Sequence, residues 1–260
     1  MSTHSLALIS ELIKIFCSQF KENLVFDSNM STEAKESQKS DKDVHTIVAD
    51  YYGKVLQSKK DLKTNACCTA GAPHPTIRQA LKLVPDEIME KYYGCGNPIP
   101  FGMKGLTVVD LGSGSGRDCY IASNLVGEKG KVIGVDMTDE QLQVARAHVE
   151  GYCKKTLGYQ SINLEFRKGL IENLTDEEGA NIKPDSVDIV ISNCVVNLSP
   201  NKDQVLSSVW SILKTGGEFY FSDVYCDRRL PSHVRTHHVL LGECLGWTNK
   251  QFLFLFFITL

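Results

Sequence analysis

A glycine-rich turn is the segment of this chain best suited to hold a ligand against the backbone. Residues 108–116 read VVDLGSGSG, so Gly112, Gly114 and Gly116 follow a short apolar run that predicts a buried parallel strand. Glycine adopts backbone conformations that other residues avoid, and it lets a ligand approach the main chain closely. The third glycine comes one residue earlier than in a dinucleotide fingerprint. The turn therefore favours a different nucleotide-type cofactor, with a ligand-free strand-to-helix turn as the alternative.

An acidic residue follows the turn at the distance expected for a ribose contact. Residues 131–136 read KVIGVD, which predicts a second buried strand ending in Asp136. In doubly wound folds such an acid, about 20 residues past the glycines, binds ribose hydroxyls. A carboxylate accepts two hydrogen bonds from a cis-diol, so we expect Asp136 to bind ribose and Met137 to pack on adenine. A helix N-cap is the alternative role of Asp136.

Cysteines form the second group of chemically capable residues. The chain has nine, at scattered spacings and without a C-x-x-C pair, which disfavours a zinc ribbon or a thioredoxin-type motif. Cys67, Cys95, Cys194 and Cys244 lie in settings that packing explains poorly: Cys95 lies between glycines, and Cys194 ends a predicted strand. A buried cysteine usually behaves as a small hydrophobic residue, so a structural role stays open for each.

Alternating strands and helices must position these residues. The apolar patterns predict strands at 107–111, 131–136, 163–168, 187–193 and 217–223, and helices at 117–126, 139–157 and 201–213. This order predicts an α/β, Rossmann-like fold with a mostly parallel sheet and helices on both faces. One edge of that sheet would then collect the residues at the strand ends, which are Gly112, Asp136, Gly169, Asn193 and Asp223.

Composition narrows the class of protein. A chain of 260 residues, 42% hydrophobic and with a formal charge of -3, predicts a soluble domain without the basic excess of a nucleic-acid binder. The N-terminus lacks a secretory leader, which favours the cytoplasm, where thiols stay reduced. We expect a partly disordered extension at 1–42, one domain at 43–246 and an apolar tail at 247–260 that is too short to span a bilayer.

The motifs together resemble those of one family. DLGSGSG resembles the first motif of S-adenosylmethionine-dependent class I methyltransferases, and the wider set resembles arsenite methyltransferase over about residues 43–246. The motifs that carry this resemblance are TNAC (64–67), YYGCG (92–96), DLGSGSGRD (110–118), GVDMT (134–138), ISNCVVNL (191–198), GGEFYFSDVY (216–225) and LGEC (241–244). The resemblance implies a class I methyltransferase fold and methylation of thiol-bound trivalent arsenic.

The resemblance also gives the cysteines roles. It implies that Cys95, Cys194 and Cys244 bind arsenic, and that Cys67 takes part in thiol–disulfide exchange, with the adjacent Cys68 as an alternative. Soft trivalent arsenic prefers thiolate ligands, and three thiolates leave its lone pair available to attack a methyl group without a general base. A thiol needs a nearby cation or the metalloid itself to favour the thiolate, and Arg117 or Lys91 are candidates for that cation.

Further roles follow from the same resemblance. It implies arsenite or its glutathione conjugate as substrate and thioredoxin or glutathione as reductant, with no nucleic acid, membrane or structural metal. Packing alone remains an alternative for Ile171 and Tyr51. The residues implied to bind S-adenosylmethionine are Tyr51, Asp110, Gly112, Ser113, Gly114, Asp136, Met137, Ile171, Glu172 and Asn193.

The chain departs from the family after Gly246. Relatives continue well past the position of Cys244 with two more strands, whereas this chain changes to WTNKQ and the apolar tail. We therefore expect the last strands of the fold to be missing, with weak stability and impaired turnover. Two other functions stay open: a different small-molecule methyltransferase with structural cysteines, and a non-catalytic, thiol-rich arsenite binder.

Overall fold

The computed structural model describes residues 41–56, 61–62, 73–224, 240 and 243–244, and the structural statements below concern these residues. Cys67 and Cys68, the extension up to residue 40 and the tail at 247–260 lie outside them. The predicted division into an extension, a domain and a tail therefore stays a prediction.

Five parallel strands form one sheet. Their order is β3-β2-β1-β4-β5, which places the glycine-bearing strand β1 at the centre. The strands are β1 (Thr107–Leu111), β2 (Lys131–Asp136), β3 (Leu164–Lys168), β4 (Val187–Asn193) and β5 (Leu213–Ser222). The bounds of β1, β2 and β4 are the predicted ones, because each contains a mostly apolar run that the sheet buries on both faces.

Six α-helices accompany the sheet: α1 (Asp41–Asp50), α2 (Pro75–Leu81), α3 (Asp86–Glu90), α4 (Arg117–Val126), α5 (Asp139–Ala147) and α6 (Lys202–Ile212). A π-helical turn at Tyr51–Val55 follows α1, and a second at Gly151–Thr156 follows α5. The helix predicted at 139–157 is therefore α-helical up to Ala147 and π-helical from Gly151 to Thr156. Gly151 lies where that helix would continue, and glycine has low helix propensity.

Strand β5 begins four residues before its predicted start. The segment Leu213–Gly216 joins the strand, although Lys214 and the glycines at 216 and 217 resemble a helix stop. A register shift opposite Val187 and Ile189 of β4 absorbs this irregular beginning, and Gly216 takes a positive φ of 82° there. A β-bulge of this kind keeps a strand paired where a regular ladder would break.

The apolar core lies on both faces of the sheet. Val108 and Val109 of β1 belong to two different buried clusters, because successive side chains of a strand point to opposite faces. Tyr120 and Leu142, from α4 and α5, pack in the first cluster, while Val209 of α6 packs in the second. This confirms the predicted α/β class with helices on both faces. Among the described helices, none has the length and apolarity that crossing a bilayer requires.

Candidate active site

A cavity opens at the carboxyl edge of the sheet, where the sequence predicts a crevice. The ends of three neighbouring strands, β1, β2 and β4, contribute its lining through Gly112, Asp136 and Asn193. Gly169, which follows β3, lines it too. The further predicted residues in the lining are Asp110, Ser113, Gly114, Met137, Ile171, Glu172 and Cys194.

The glycine turn has the backbone geometry that the sequence predicts. Gly112, Gly114 and Gly116 all have positive φ angles, of 60°, 53° and 97°. At Gly112 a Cβ atom would lie 2.4 Å from Cγ1 of Val195. A side chain at this position would therefore meet both backbone strain and a steric clash. The amide of Ser113 donates to the carbonyl of Val135 at 3.0 Å, which anchors the turn to β2.

Asp136 holds the turn in place. One carboxylate oxygen accepts the Gly114 N–H at 2.8 Å, and the other accepts the Thr138 N–H at 2.8 Å. Burial raises the pKa of this carboxyl above its usual range, and the backbone hydrogen bonds from Thr138 and Gly114 oppose that rise. A carboxylate oxygen has two lone-pair sites. Asp136 can thus hold the turn and still accept hydrogen bonds from a ligand.

Three residues of the cavity lining carry a buried polar atom without a hydrogen bond. Within the described part of the chain, these atoms are Tyr93 Oη, Ser113 Oγ and Gln141 Oε1. Buried polar groups usually have partners, so these atoms fit a ligand with hydroxyl and amino groups. Sequence reasoning identified Ser113 but missed Gln141. The available signal was its place in the first turn of the helix that follows the acidic end of β2.

Asp110 lies in β1, two residues before the first glycine of the turn. It is buried, lines the cavity and accepts a hydrogen bond from the Cys119 thiol at 3.1 Å. Burial, together with the nearby Asp118 carboxylate, raises the pKa of Asp110 well above its usual range. Asp118, which the sequence analysis did not single out, lines the same cavity.

The predicted adenine end of the cavity contains a polar network. Met137 and Ile171 lie beside Glu172 in the lining. Glu172 Oε1 is 2.9 Å from His45 Nε2 and accepts the Ser199 hydroxyl at 2.5 Å. Burial favours a higher pKa for Glu172, but the hydrogen bonds from His45 and Ser199 outweigh it and lower the pKa of Glu172 below its ordinary value.

Replacing Glu172 by glutamine should lower the free energy of unfolding by about 1–2 kcal/mol at neutral pH, because the hydrogen bonds then lose their charged acceptor. The folded-state pKa is depressed, so the carboxylate contributes fully above its ordinary pKa of 4.5. That contribution is lost as the pH falls through the folded-state value. Urea denaturation at several pH values should show the difference from the unmodified chain shrinking below that range.

Glu178→Gln, at an exposed turn position, is the control for this measurement. Its effect should stay near zero at every pH. A Glu172→Gln effect of constant size across the whole pH series would contradict the assigned network.

Tyr51, which the resemblance implies as a cofactor contact, lies beside Tyr52 in the first π-helical turn. The cavity lining contains Tyr52 but not Tyr51. Tyr51 is buried, and its hydroxyl donates to Glu243 Oε1 at 2.8 Å. The backbone carbonyl of Tyr52 accepts the Gln141 side-chain amide at 2.9 Å. Tyr51 thus contacts the segment next to Cys244, while its neighbour forms the wall of the cavity.

Three cysteines converge beside this cavity. Cys95, Cys194 and Cys244 belong to one buried cluster and are 5%, 3% and 1% exposed. Cys95 and Cys194 form a disulfide with a Cα–Cα distance of 5.9 Å. The thiol of Cys244 donates to the carbonyl of Cys194 at 2.8 Å. The cysteines that the resemblance groups as arsenic ligands therefore meet at one point, with Cys194 also lining the cavity that contains Asp136.

The backbone at two of these cysteines is unusual. Cys194 has φ of 59° and Cys244 has φ of 63°. This left-handed region costs a non-glycine residue about 1–2 kcal/mol. Residues held in such conformations concentrate at functional sites. The Cys194 amide donates to the Ser222 carbonyl at 2.7 Å, which fixes this conformation between the ends of β4 and β5.

Asn193 connects the Cys95 loop to the sheet. Its side-chain oxygen accepts the Gly96 N–H at 3.0 Å, and its amide nitrogen donates to the Gly96 carbonyl at 3.0 Å. The same nitrogen reaches Tyr92 Oη and Asp118 Oδ2, each at 2.7 Å. Asn193, which the resemblance implies as a cofactor-binding residue, thus also positions the loop that carries Cys95.

The structure describes both cations that were considered as thiolate neighbours, Arg117 and Lys91. The Arg117 guanidinium carbon lies 3.4 Å above the ring centre of Tyr92, and the same group forms an ion pair with Asp118 at 2.6 Å. Lys91 lines the cavity. Arg117 therefore stabilises the Tyr92 and Asp118 partners of Asn193, and it also donates to the Gly96 carbonyl of the Cys95 loop at 3.5 Å.

Replacing Asn193 by alanine should lower the free energy of unfolding by about 2–3 kcal/mol, because it leaves several partly buried polar groups without a partner. The Cys95 loop would lose its attachment to β4, so arsenite affinity should fall as well. Denaturation and arsenite titration of the reduced chain measure the two effects. Asn173→Ala, at an exposed position, is the control. An Asn193 variant as stable as this control would contradict the bridging role.

Comparisons with known proteins agree with this geometry. A family model described as a methyltransferase domain matches residues 103–254. The arsenite methyltransferase of Mus musculus is 49% identical over 205 residues, which are 78% of this chain and 54% of that protein. That of Homo sapiens is 50% identical over 207 residues, 79% of this chain and 54% of that protein. The chain spans about half the length of the curated relatives it matches.

A solved structure is also similar. The crystal structure of an arsenic(III) S-adenosylmethionine methyltransferase from Chlamydomonas reinhardtii has 56% sequence identity and a TM-score of 0.65. The match covers 69% of this chain and 58% of that one. With the central glycine turn and the parallel sheet, these matches show that the chain belongs to the methyltransferase domain family, in which it resembles the arsenite methyltransferases.

Proposed function

We propose that this chain contains the cofactor and metalloid sites of an S-adenosylmethionine-dependent arsenite methyltransferase, and that it methylates thiol-bound trivalent arsenic. The observation that carries the proposal is the meeting of Cys95, Cys194 and Cys244 beside the cavity of the glycine turn. The similarity to arsenite methyltransferases supports the choice of arsenic over other soft ions.

The cavity residues fit S-adenosylmethionine. Asp136 would accept ribose hydroxyls, while Ser113 Oγ and Gln141 Oε1 would gain the partners they lack among the described residues. Met137, Ile171 and Glu172 would border the adenine. When bound, this cofactor supplies an electrophilic methyl group on a positively charged sulfur.

The cysteines would provide a binding site for arsenic. Arsenous acid condenses with three thiols, forming three As–S bonds and releasing three water molecules. The arsenic keeps its lone pair, so no proton has to be removed from the nucleophile. The cysteine cluster is buried among Val44, Val48 and Leu198. This packing would keep bulk water from the As–S bonds and hold the metalloid next to the cavity that Cys194 lines. Such positioning is worth about 7–11 kcal/mol in favourable cases.

The Cys95–Cys194 disulfide must be reduced before arsenic binds. Reduction consumes two electrons and two protons, which a dithiol of the thioredoxin type or two glutathione molecules supply. Cys67 would act in this exchange, as the family resemblance implies. A site with this requirement suits a reducing compartment, and we propose the cytoplasm.

Calorimetric titration of one reduced sample with S-adenosylmethionine and then with arsenite tests the proposal. We expect one site for each and coupling between the two. Product analysis on the same sample should detect methylated arsenic. Arsenite binding without any consumption of S-adenosylmethionine would establish the non-catalytic binder instead. Absence of arsenite binding in the reduced chain would refute the metalloid site.

A further inference from the structure

A carboxylate shares the cysteine cluster. One ligand atom each of Cys194, Cys244 and Asp223 lies within 4.8 Å of the other two. Cys95 completes the group, because its sulfur is bonded to that of Cys194. Asp223 follows the last residue of β5, so the sheet edge that places Asn193 and Cys194 also places this acid.

Three hydrogen bonds fix the orientation of the Asp223 carboxylate. One oxygen accepts the Asn197 backbone N–H at 2.9 Å. The other accepts the Asn197 side-chain amide at 2.9 Å and the Val224 N–H at 2.9 Å. Ligating carboxylates are typically held by such outer hydrogen bonds, which orient them toward the ion.

Trivalent arsenic does not require the Asp223 carboxylate as a fourth ligand. Arsenic is soft and is saturated by three thiolates, whereas a carboxylate is a hard oxygen ligand. Three sulfurs and one oxygen are instead a tetrahedral donor set for Zn²⁺, with Zn–S near 2.3 Å and Zn–O near 2.0–2.2 Å. Donor atoms at the corners of such a site lie about 3.8 Å apart. The donor atoms of Cys194, Asp223 and Cys244 are at most 4.8 Å apart, so side-chain rotation of about 1 Å or less brings them to this spacing. Reduction of the disulfide lets the sulfurs of Cys95 and Cys194 move apart to it.

We propose that the reduced cluster of Cys95, Cys194, Asp223 and Cys244 binds one tetrahedral, thiophilic divalent cation, with Zn²⁺ as the expected ion and Cd²⁺ as its analogue. Binding releases the thiol protons to solvent and forms three metal–sulfur bonds and one metal–oxygen bond, with no redox change. Lys202, whose ammonium interacts electrostatically with Asp223 and Cys244, offsets part of the negative charge of these four ligands. The cation and arsenite use the same sulfurs, so each should exclude the other.

This site does not rest on the proposed methyl transfer. Zinc binding requires only the four donors, and it can be measured without arsenite or S-adenosylmethionine. Failure of the zinc experiment therefore leaves arsenite methylation standing, and failure of methylation leaves the zinc site standing.

The test uses the full chain, reduced with a phosphine and freed of metal by a chelator. Competition with a chromophoric zinc indicator gives the stoichiometry and affinity for Zn²⁺, and Cd²⁺ reports sulfur ligation through its ultraviolet charge-transfer band. We expect one equivalent, displaced stoichiometrically by arsenite. Asp223→Asn should weaken Zn²⁺ binding at least about tenfold, and should weaken arsenite binding much less, so that selectivity shifts toward arsenite. Asp203→Asn, an exposed acid on α6, is the matched control.

The disulfide form of the unmodified chain provides a second measurement that needs no substitution. With the sulfurs of Cys95 and Cys194 bonded to each other, the zinc site should be lost. The proposal is overturned by equal zinc affinity in the oxidised and reduced chains, by no zinc binding in the reduced chain, or by equal losses of zinc affinity in Asp223→Asn and Asp203→Asn.

Discussion

Replacing Cys194 by serine is expected to weaken arsenite binding to the reduced chain by at least about a hundredfold, or about 2.7 kcal/mol. A serine hydroxyl has nearly the same shape as the thiol, but it stays protonated at neutral pH and is a hard donor that soft arsenic binds poorly. Two thiolates would remain, and the metalloid would keep an exchangeable hydroxyl in place of its third sulfur. Calorimetric titration with arsenite measures the loss, and methylated arsenic in the product measures its effect on turnover.

Binding of S-adenosylmethionine to the Cys194 variant should change little, which separates a ligand role from general damage. Cys153→Ser is the matched control: this cysteine is buried, and its sulfur lies 3.5 Å from Asn163 Oδ1, an acceptor that a hydroxyl also uses. Arsenite affinity should survive that change. If Cys194→Ser binds and methylates arsenite normally, this thiol is not an arsenic ligand and the proposed three-cysteine site is refuted.

A second large effect is expected for Gly112→Ala, which should abolish S-adenosylmethionine binding and lower the free energy of unfolding by about 2–5 kcal/mol. The left-handed backbone at this position costs alanine about 1–2 kcal/mol. The new methyl group would also lie 2.4 Å from Val195 Cγ1, and overpacking of this kind costs about 1–3 kcal/mol. Relief of the clash must displace either the glycine turn or the start of the segment after Cys194. Denaturation and cofactor titration measure the two effects.

Gly102→Ala isolates the backbone part of this cost. Gly102 has φ of 79°, yet a Cβ atom there would meet no atom within 4 Å. Its variant should lose only about 1–2 kcal/mol and should bind the cofactor normally. Equal losses for the two variants would show that the contact with Val195 has no energetic weight.

The sheet was largely predictable because its strands are strong local signals. Strands β1, β2 and β4 begin and end where the apolar pattern predicts. Strands that are buried on both faces contain few polar residues, so their limits are easy to recognise in the sequence. The start of β5 was not predictable, because a register shift against a neighbouring strand decides it, and glycines in the sequence indicate a turn. The break after α5 also depends on the local backbone near Gly151 rather than on apolar spacing.

The candidate site was predictable only in part. Position at a strand end identified Asp136 and Cys194, because parallel strands bring their ends to one edge. The meeting of Cys95 and Cys194, 99 residues apart, came from the family resemblance, since no local pattern encodes a contact across that distance. Gln141 was missed because polar residues are ordinary in the first turn of a helix. Tyr51 and Tyr52 are neighbours in sequence, so only the π-helical geometry decides which one faces the cavity.

The disulfide between Cys95 and Cys194 stabilises the folded chain but blocks the proposed arsenic site. It closes a covalent ring that encloses β1 to β4, and for a ring of about 100 residues the chain-entropy estimate of stabilisation is about 4.7 kcal/mol. The reduced chain, which alone offers three sulfurs to a metalloid, forgoes that gain. The form that would bind arsenic under the proposed function is therefore the more easily unfolded of the two. A cell rich in reductant would keep this protein in the reduced, less stable form that the proposed arsenic site requires. Oxidative stress would convert it into the more stable disulfide form, in which that site is blocked.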